Sequence, residues 1–127
     1  MAKTYLLLAA INGFVAVALG AFGAHGLKQR LSADMLAVYQ TGVQYHFYHT
    51  LALLAVAVLM LSGAQQNLLR WSGALFVLGI VIFSGSLYLL SVTGTRWLGA
   101  ITPLGGVAFL AGWIVLALAA WRWAESV

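Results

Sequence analysis

Charge is what this sequence has least of. Of its 127 residues 6% are charged: six Lys or Arg and two Asp or Glu. Soluble domains carry roughly 25% charged residues, so a water-soluble globule is excluded at once. Cysteine is absent altogether, which removes disulfides and thiolate metal sites and leaves the redox compartment open. The only acids, Asp34 and Glu125, lie outside the apolar runs. That rules out a carboxylate-pair hydrolase and denies a proton-coupled transporter the acid chain it normally needs. No serine stands in a nucleophile elbow. The six basic residues are scattered and make no nucleic-acid stripe, so nucleic acid is not an expected partner.

What is present is apolar: 64% of the chain is hydrophobic and the mean hydropathy is +1.02. A membrane helix needs about 20 mainly apolar residues. Tyr5 to Gly23 meets that need, with Asn12 its only strongly polar side chain. Leu51 to Leu61 meets it by recruiting Tyr45 to Thr50, and Trp71 to Val92 and Leu98 to Trp121 meet it outright. The pattern predicts an all-α integral membrane four-helix bundle, one transmembrane domain over residues 1–127, with the lipid bilayer as its surroundings. The helices are expected over 5–25, 33–61, 68–92 and 98–122, with both termini on one side. The first run follows Lys3 as a signal peptide's would, but it continues too far and ends in a glycine-rich motif. It is therefore expected to be the first membrane helix.

Between the first two runs, Ser32 is a plausible N-cap and Asp34 stands in the first turn, where the helix dipole favours an acid. A second helix running unbroken from Ala33 to Leu61 would be about 43 Å long, against about 30 Å of hydrocarbon. Its first three turns are expected in the headgroup zone. Gly63 is a candidate C′ residue and Asn67 a candidate N-cap for the third helix. Trp71 beside Arg70, Trp97 beside Arg96, and Trp121 and Trp123 around Arg122 are expected interfacial anchors. Thr102 and Pro103 mark a break, with Pro103 as an early residue of the fourth helix and Arg96 to Ile101 as an interfacial approach. Basic residues number three on each side, so no orientation is predicted.

Small residues recur at Ala9, Gly13, Ala16, Gly20 and Ala24, on one face of the first helix, where backbones can approach closely. Gly85 on the third helix and Gly112 on the fourth are expected to serve the same way. The Gly20, Gly23, Gly26 spacing is no nucleotide loop, because no strand precedes it and no Gly-Lys-Ser/Thr follows.

The chemistry-bearing candidates are His25, His46 and His49, with Tyr45 and Tyr48 beside them. Helices running antiparallel would bring all three histidines into one leaflet. Converging imidazoles suit zinc, copper or haem, yet the two tyrosines are equally placed to satisfy them by hydrogen bonds. A hydrogen-bonded clamp between helices is the leading expectation, with His25 and His49 in one cluster with Tyr45 or Tyr48. No metal site, cofactor or catalytic residue is assigned.

Four stretches carry a resemblance: Gly20-Ala-Phe-Gly-Ala-His25, then Tyr45-x-x-Tyr48-His49-x-Leu51-Ala-Leu-Leu54, Phe83-Ser-Gly-Ser-Leu-Tyr-Leu-Leu90, and Leu98-Gly-Ala-Ile-Thr-Pro-Leu-Gly-Gly106 through Gly112-Trp113. In this order they resemble the family of small bacterial inner-membrane proteins typified by YgdD, whose relatives include eukaryotic small transmembrane proteins. The resemblance covers nearly the whole chain. It implies a multi-pass four-helix protein of the bacterial inner membrane and no activity, the family's function being uncharacterised. His25 and His49 fall on its pattern. His46 stands where the pattern leads one to expect glutamine, which argues against a shared three-histidine metal site. A non-enzymatic protein that packs against itself, as a homo-oligomer, or against a larger membrane complex is expected. A small-solute carrier or pore lined by Ser84, Ser86 and Thr102 and a histidine-ligated metal or haem protein are the alternatives.

Overall fold

The computed structural model describes all 127 residues. Four helices follow one another, each long and apolar enough to cross a membrane: α1 (Ala2–Leu27), α2 (Ala33–Leu61), α3 (Gln66–Thr93) and α4 (Arg96–Ser126). There are no strands. Backbone that can find no water in hydrocarbon must bond within its own segment, and helices are the local way to do so.

The helix ends follow local chemistry. Ser32, in extended backbone, accepts a hydrogen bond from the Met35 N–H on its side-chain oxygen at 3.2 Å and opens α2 as expected. α2 closes at Leu61, and Gly63 takes φ +80°, a left-handed conformation that glycine adopts without penalty. Gly94 does the same at the end of α3, with φ +70°. α3 begins at Gln66 after Gln65 with φ +46°, so Asn67 lies inside the helix and is not its cap. Arg96–Ala100 forms a 3₁₀ turn before α-helix resumes at Thr102. Pro103 therefore stands in the first turn, where its missing N–H costs nothing. Thr102 does not cap: its hydroxyl pairs with Ser86 Oγ at 2.6 Å and reaches the Leu98 carbonyl.

Two π-helical turns interrupt the α geometry, at Gly23–Leu27 and at Ile80–Ser84. The first closes α1 and the second shifts the register of α3 at mid-helix.

α2 is the hub, packed against α1 on one side and α3 on the other, while α4 packs along α3. The core gathers Leu53, Val56, Ala57 and Met60 of α2, Leu69, Phe76 and Ile80 of α3, Tyr5 and Ala9 of α1, and Phe109 and Ala119 of α4. Along the α1–α2 seam, Ala9 and Ala16 are buried, Gly13 faces Thr50, Gly20 faces Val43 and Gly23 faces the Tyr39 ring. Ala24, last of that row of small residues, is exposed. Tyr39 donates from its hydroxyl to the Leu19 carbonyl. Tyr39 to Gln44 thus lie level with Leu19 to Gly23, inside the apolar stretch of α1. The expected three-turn interfacial extension of α2 shortens to the residues before Tyr39.

Gly112 meets the Phe76 ring as a packing position should, whereas no atom lies within 4 Å of a Cβ built on Gly85. The close approach near Gly85 is made by its neighbour: Ser84 is buried and donates to the Gly42 carbonyl at 2.8 Å.

Candidate functional site

Halfway along α2, two buried histidines three residues apart face different neighbours. His46 turns toward α1 and α3. Asn12 of α1 gives its amide N–H to the Leu8 carbonyl at 2.8 Å, which directs its oxygen at the His46 ring. Asn12 Oδ1 lies 2.8 Å from His46 Nε2, and an amide oxygen only accepts, so Nε2 carries the proton. Nδ1 is then the acceptor, 2.8 Å from the Tyr88 hydroxyl, which donates.

His49 turns toward α4. Its Nδ1 lies 2.7 Å from the Tyr45 carbonyl, an acceptor, so here Nδ1 carries the proton. Nε2 accepts the Trp113 indole N–H at 3.0 Å. The imidazole lies flat on Phe109, centroids 3.5 Å apart and planes 7° from parallel, with Phe76 tilted against it at 5.7 Å. With both imidazoles neutral, these hydrogen bonds select opposite tautomers.

Hydroxyls around this centre are satisfied by the same rule, Thr50 within its own helix and Ser72 and Ser84 across to a neighbouring one. Thr50 donates to the His46 carbonyl at 2.7 Å, Ser72 to the Gly112 carbonyl at 2.9 Å, and Ser84 to Gly42 as above. No buried side-chain nitrogen or oxygen is left without a partner.

The sequence-predicted cluster is therefore split. His25 is exposed on the π turn that ends α1 and makes no side-chain hydrogen bond with the other histidines. It stands thirteen residues, about 20 Å of helix, beyond Asn12. His46 and His49 sit deeper than the membrane entry expected for them, because Asn12 and Trp113 lie near the middles of their own helices. Tyr45 is half exposed and contributes its carbonyl to His49, its ring resting on Phe83 at 4.8 Å. Tyr48 is 55% exposed, edge-on to Tyr45, and bonds to neither histidine. The partners that matter are Asn12, Tyr88 and Trp113. Asn12 had a signal: a lone amide in an apolar helix demands a partner. Trp113 had another, a tryptophan in mid-helix away from the interfacial belts.

A metal binds the lone pair of a neutral imidazole, and at both histidines that lone pair already accepts a protein hydrogen bond. No three His, Cys, Asp or Glu side chains group closely enough to hold an ion. The donor chain Tyr88, His46, Asn12 ends on the Leu8 backbone carbonyl, so it offers no exit for a proton. Of the three hydroxyls Ser84, Ser86 and Thr102, Ser84 donates to the Gly42 carbonyl of α2, while Ser86 and Thr102 pair with each other. A shallow groove of about 400 Å³ runs beside His49, between Tyr45, Phe109 and Trp113, and opens to the outside of the bundle.

Four apolar spans around a neutral, hydrogen-bonded centre define a small multi-pass membrane protein. The chain belongs to the family described as Protein of unknown function (DUF423), whose model matches residues 19–106. It is 51% identical over 91 residues to the UPF0382 membrane protein YwdK of Bacillus subtilis, covering 72% of this chain and 74% of that one. It is 48% identical over 92 residues to a UPF0382 membrane protein of Haemophilus influenzae, covering 72% of each. The UPF0382 inner membrane protein YgdD of Escherichia coli is 46% identical over 94 residues, 72% of this chain and 69% of that protein. No solved structure matches the chain.

Proposed function

We propose that this chain is a non-enzymatic protein of the bacterial inner membrane that acts by lateral association with protein. One observation carries the proposal: every polar side chain buried in the bundle is already partnered inside it, including both lone pairs that a metal, haem or substrate proton would need. The name of the Escherichia coli relative supports the inner-membrane placement. The histidine centre works as a clamp. It locks α2 to α1 and α3 through His46 and to α4 through His49, fixing the rotation of helices whose apolar surfaces would otherwise slide. Interhelical hydrogen bonds of this kind contribute about 0.6–2 kcal/mol each in membranes.

Metal and haem content, measured on protein purified without chelator, tests the proposal. Wild type is expected to carry neither at stoichiometric level. His49→Gln is expected to stay folded, because an amide oxygen can accept the Trp113 N–H, with a loss of about 1–2 kcal/mol from the lost stacking on Phe109. One equivalent of metal or haem per chain, lost in His49→Gln, overturns the clamp.

A further inference from the structure

Hydrogen bonds close the interior, and the exception lies on the outside. On the outer face of the α1–α2 seam, Gln40, Gln44 and Tyr48 follow one another at every fourth residue of α2, so they form one row. All three are exposed, and none of their side chains has a hydrogen-bond partner in the bundle, in contrast to Thr41, which bonds back to the Ala37 carbonyl. They edge a groove of about 470 Å³ floored by Ala16, Gly20 and Val43, which continues past Gln40 toward Tyr39. Gln44 stands level with Gly20 and only two residues, about 3 Å, before His46. That depth is inside the apolar stretch of α1, about 4.5 Å short of its end at Gly23, where lipid tails offer a carboxamide no partner.

We propose that this groove is the association surface and that its occupant is a second copy of the chain, an inference that rests on the non-enzymatic reading above. Two features single out a second copy. Copies inserted in the same orientation present Gln44 at the same depth, so a two-fold axis along the membrane normal brings Gln44 opposite Gln44. A carboxamide carries both donor and acceptor, so that pair is self-complementary, each N–H donating to the other's oxygen. The groove also bears no formal charge, so nothing repels an identical surface. Tyr48, one turn deeper, adds an aromatic body with a donor at its tip.

The absence of cysteine makes the test direct, since any introduced thiol is the only one present. Val17 and Tyr48 line the groove from its two helices, and Ile114 of α4 is 70% exposed on a different helix. Under mild oxidation in native membranes, Val17→Cys and Tyr48→Cys are expected to give a disulfide-linked dimer and Ile114→Cys to give none. Gln44→Leu, in detergent or vesicles, is expected to raise the dimer dissociation constant roughly tenfold, and Gln44→Asn to restore most of the loss. The helical signal of Gln44→Leu should match wild type, because the side chain is exposed and makes no hydrogen bond inside the bundle. Cross-linking that is equal at Ile114, or missing at both groove positions, overturns the proposal. So does a dimer indifferent to Gln44→Leu, or a different protein cross-linked through Val17 in place of a second copy. None of these outcomes bears on metal or haem content, so failure here and failure of the non-enzymatic reading are told apart.

Discussion

The α1–α2 seam and the α3–α4 seam are both built on glycine, yet they are packed to different tolerances. Between α3 and α4, a Cβ on Gly105 would stand 2.4 Å from the backbone nitrogen of Phe83. On Gly79 it would meet the Phe109 ring at 2.3 Å, and on Gly112 the Phe76 ring at 2.7 Å. Gly79 and Gly112 are sockets for two aromatic knobs, Phe109 and Phe76, whose rings also pack against His49, while Gly105 receives the Phe83 backbone. Along the middle of the α1–α2 seam the fit is looser: a Cβ on Gly13 would stand at an ordinary 3.7 Å from Thr50 Cγ2, and one on Gly20 at a closer 3.3 Å from Val43 Cγ1. Only at the far end, where Gly23 meets Tyr39, does this seam tighten. A run of small residues therefore reports that helices can approach, and the partner side chain decides how closely they do. The looser seam is also the one that leaves its outer face polar.

The sharpest way to break that contrast is Gly105→Ala. The added methyl collides with backbone, which cannot rotate aside as a side chain can, so α3 and α4 must part. A loss of about 2–3 kcal/mol is expected, at the upper end of overpacking costs, read as a lowered melting midpoint in detergent. An unchanged midpoint would mean the α3–α4 seam yields as easily as the other.

Gly20→Ala and Gly13→Ala sharpen the other side. At Gly20 the Val43 methyl must give by a few tenths of an ångström, and the change is expected to stay within about 1 kcal/mol of wild type. At Gly13 the new methyl makes an ordinary contact. The helix-propensity gain of alanine over glycine, up to about 1 kcal/mol, should leave the variant as stable as wild type or slightly more so. Thermal melts of the two side by side check the order, and a Gly13→Ala loss matching that of Gly105→Ala would erase the distinction between the seams.

The smallest effect is expected at the start of α4. Pro103→Ala restores an N–H that has no intrahelical partner in a first turn, so stability should move by less than about 0.5 kcal/mol. A large rise in both stability and helicity would show that the proline bends a helix continuing from Arg96, and that the Ser86–Thr102 contact holds a strained junction.

Much of the fold was legible in the chain. The bounds of α2 followed from Ser32 and Gly63, and the four spans from apolar run length, because capping and burial in lipid are decided by residues close in sequence. The site was legible only in part. The pairing of His25 with His49 was inferred from antiparallel order alone, which brings helix ends together but does not say how far one helix slides along its neighbour. Tyr39 against Leu19 and Asn12 against His46 set that slide, and it leaves His25 outside the centre.

Composition by itself determined that this is a membrane protein of four apolar helices, since so few charges and such long runs permit no other solvent. It also determined that any polar centre would rest on histidines and neutral groups, because no acid lies in the spans. Which face of each helix turns inward was decided by the tertiary structure. Helices that are apolar all round carry little periodic signal for their own rotation. The rotation is fixed where each scarce polar side chain finds its one partner: Asn12 and Tyr88 on His46, Trp113 on His49. Those partners lie 34, 42 and 64 residues away along the chain, beyond the reach of any local pattern.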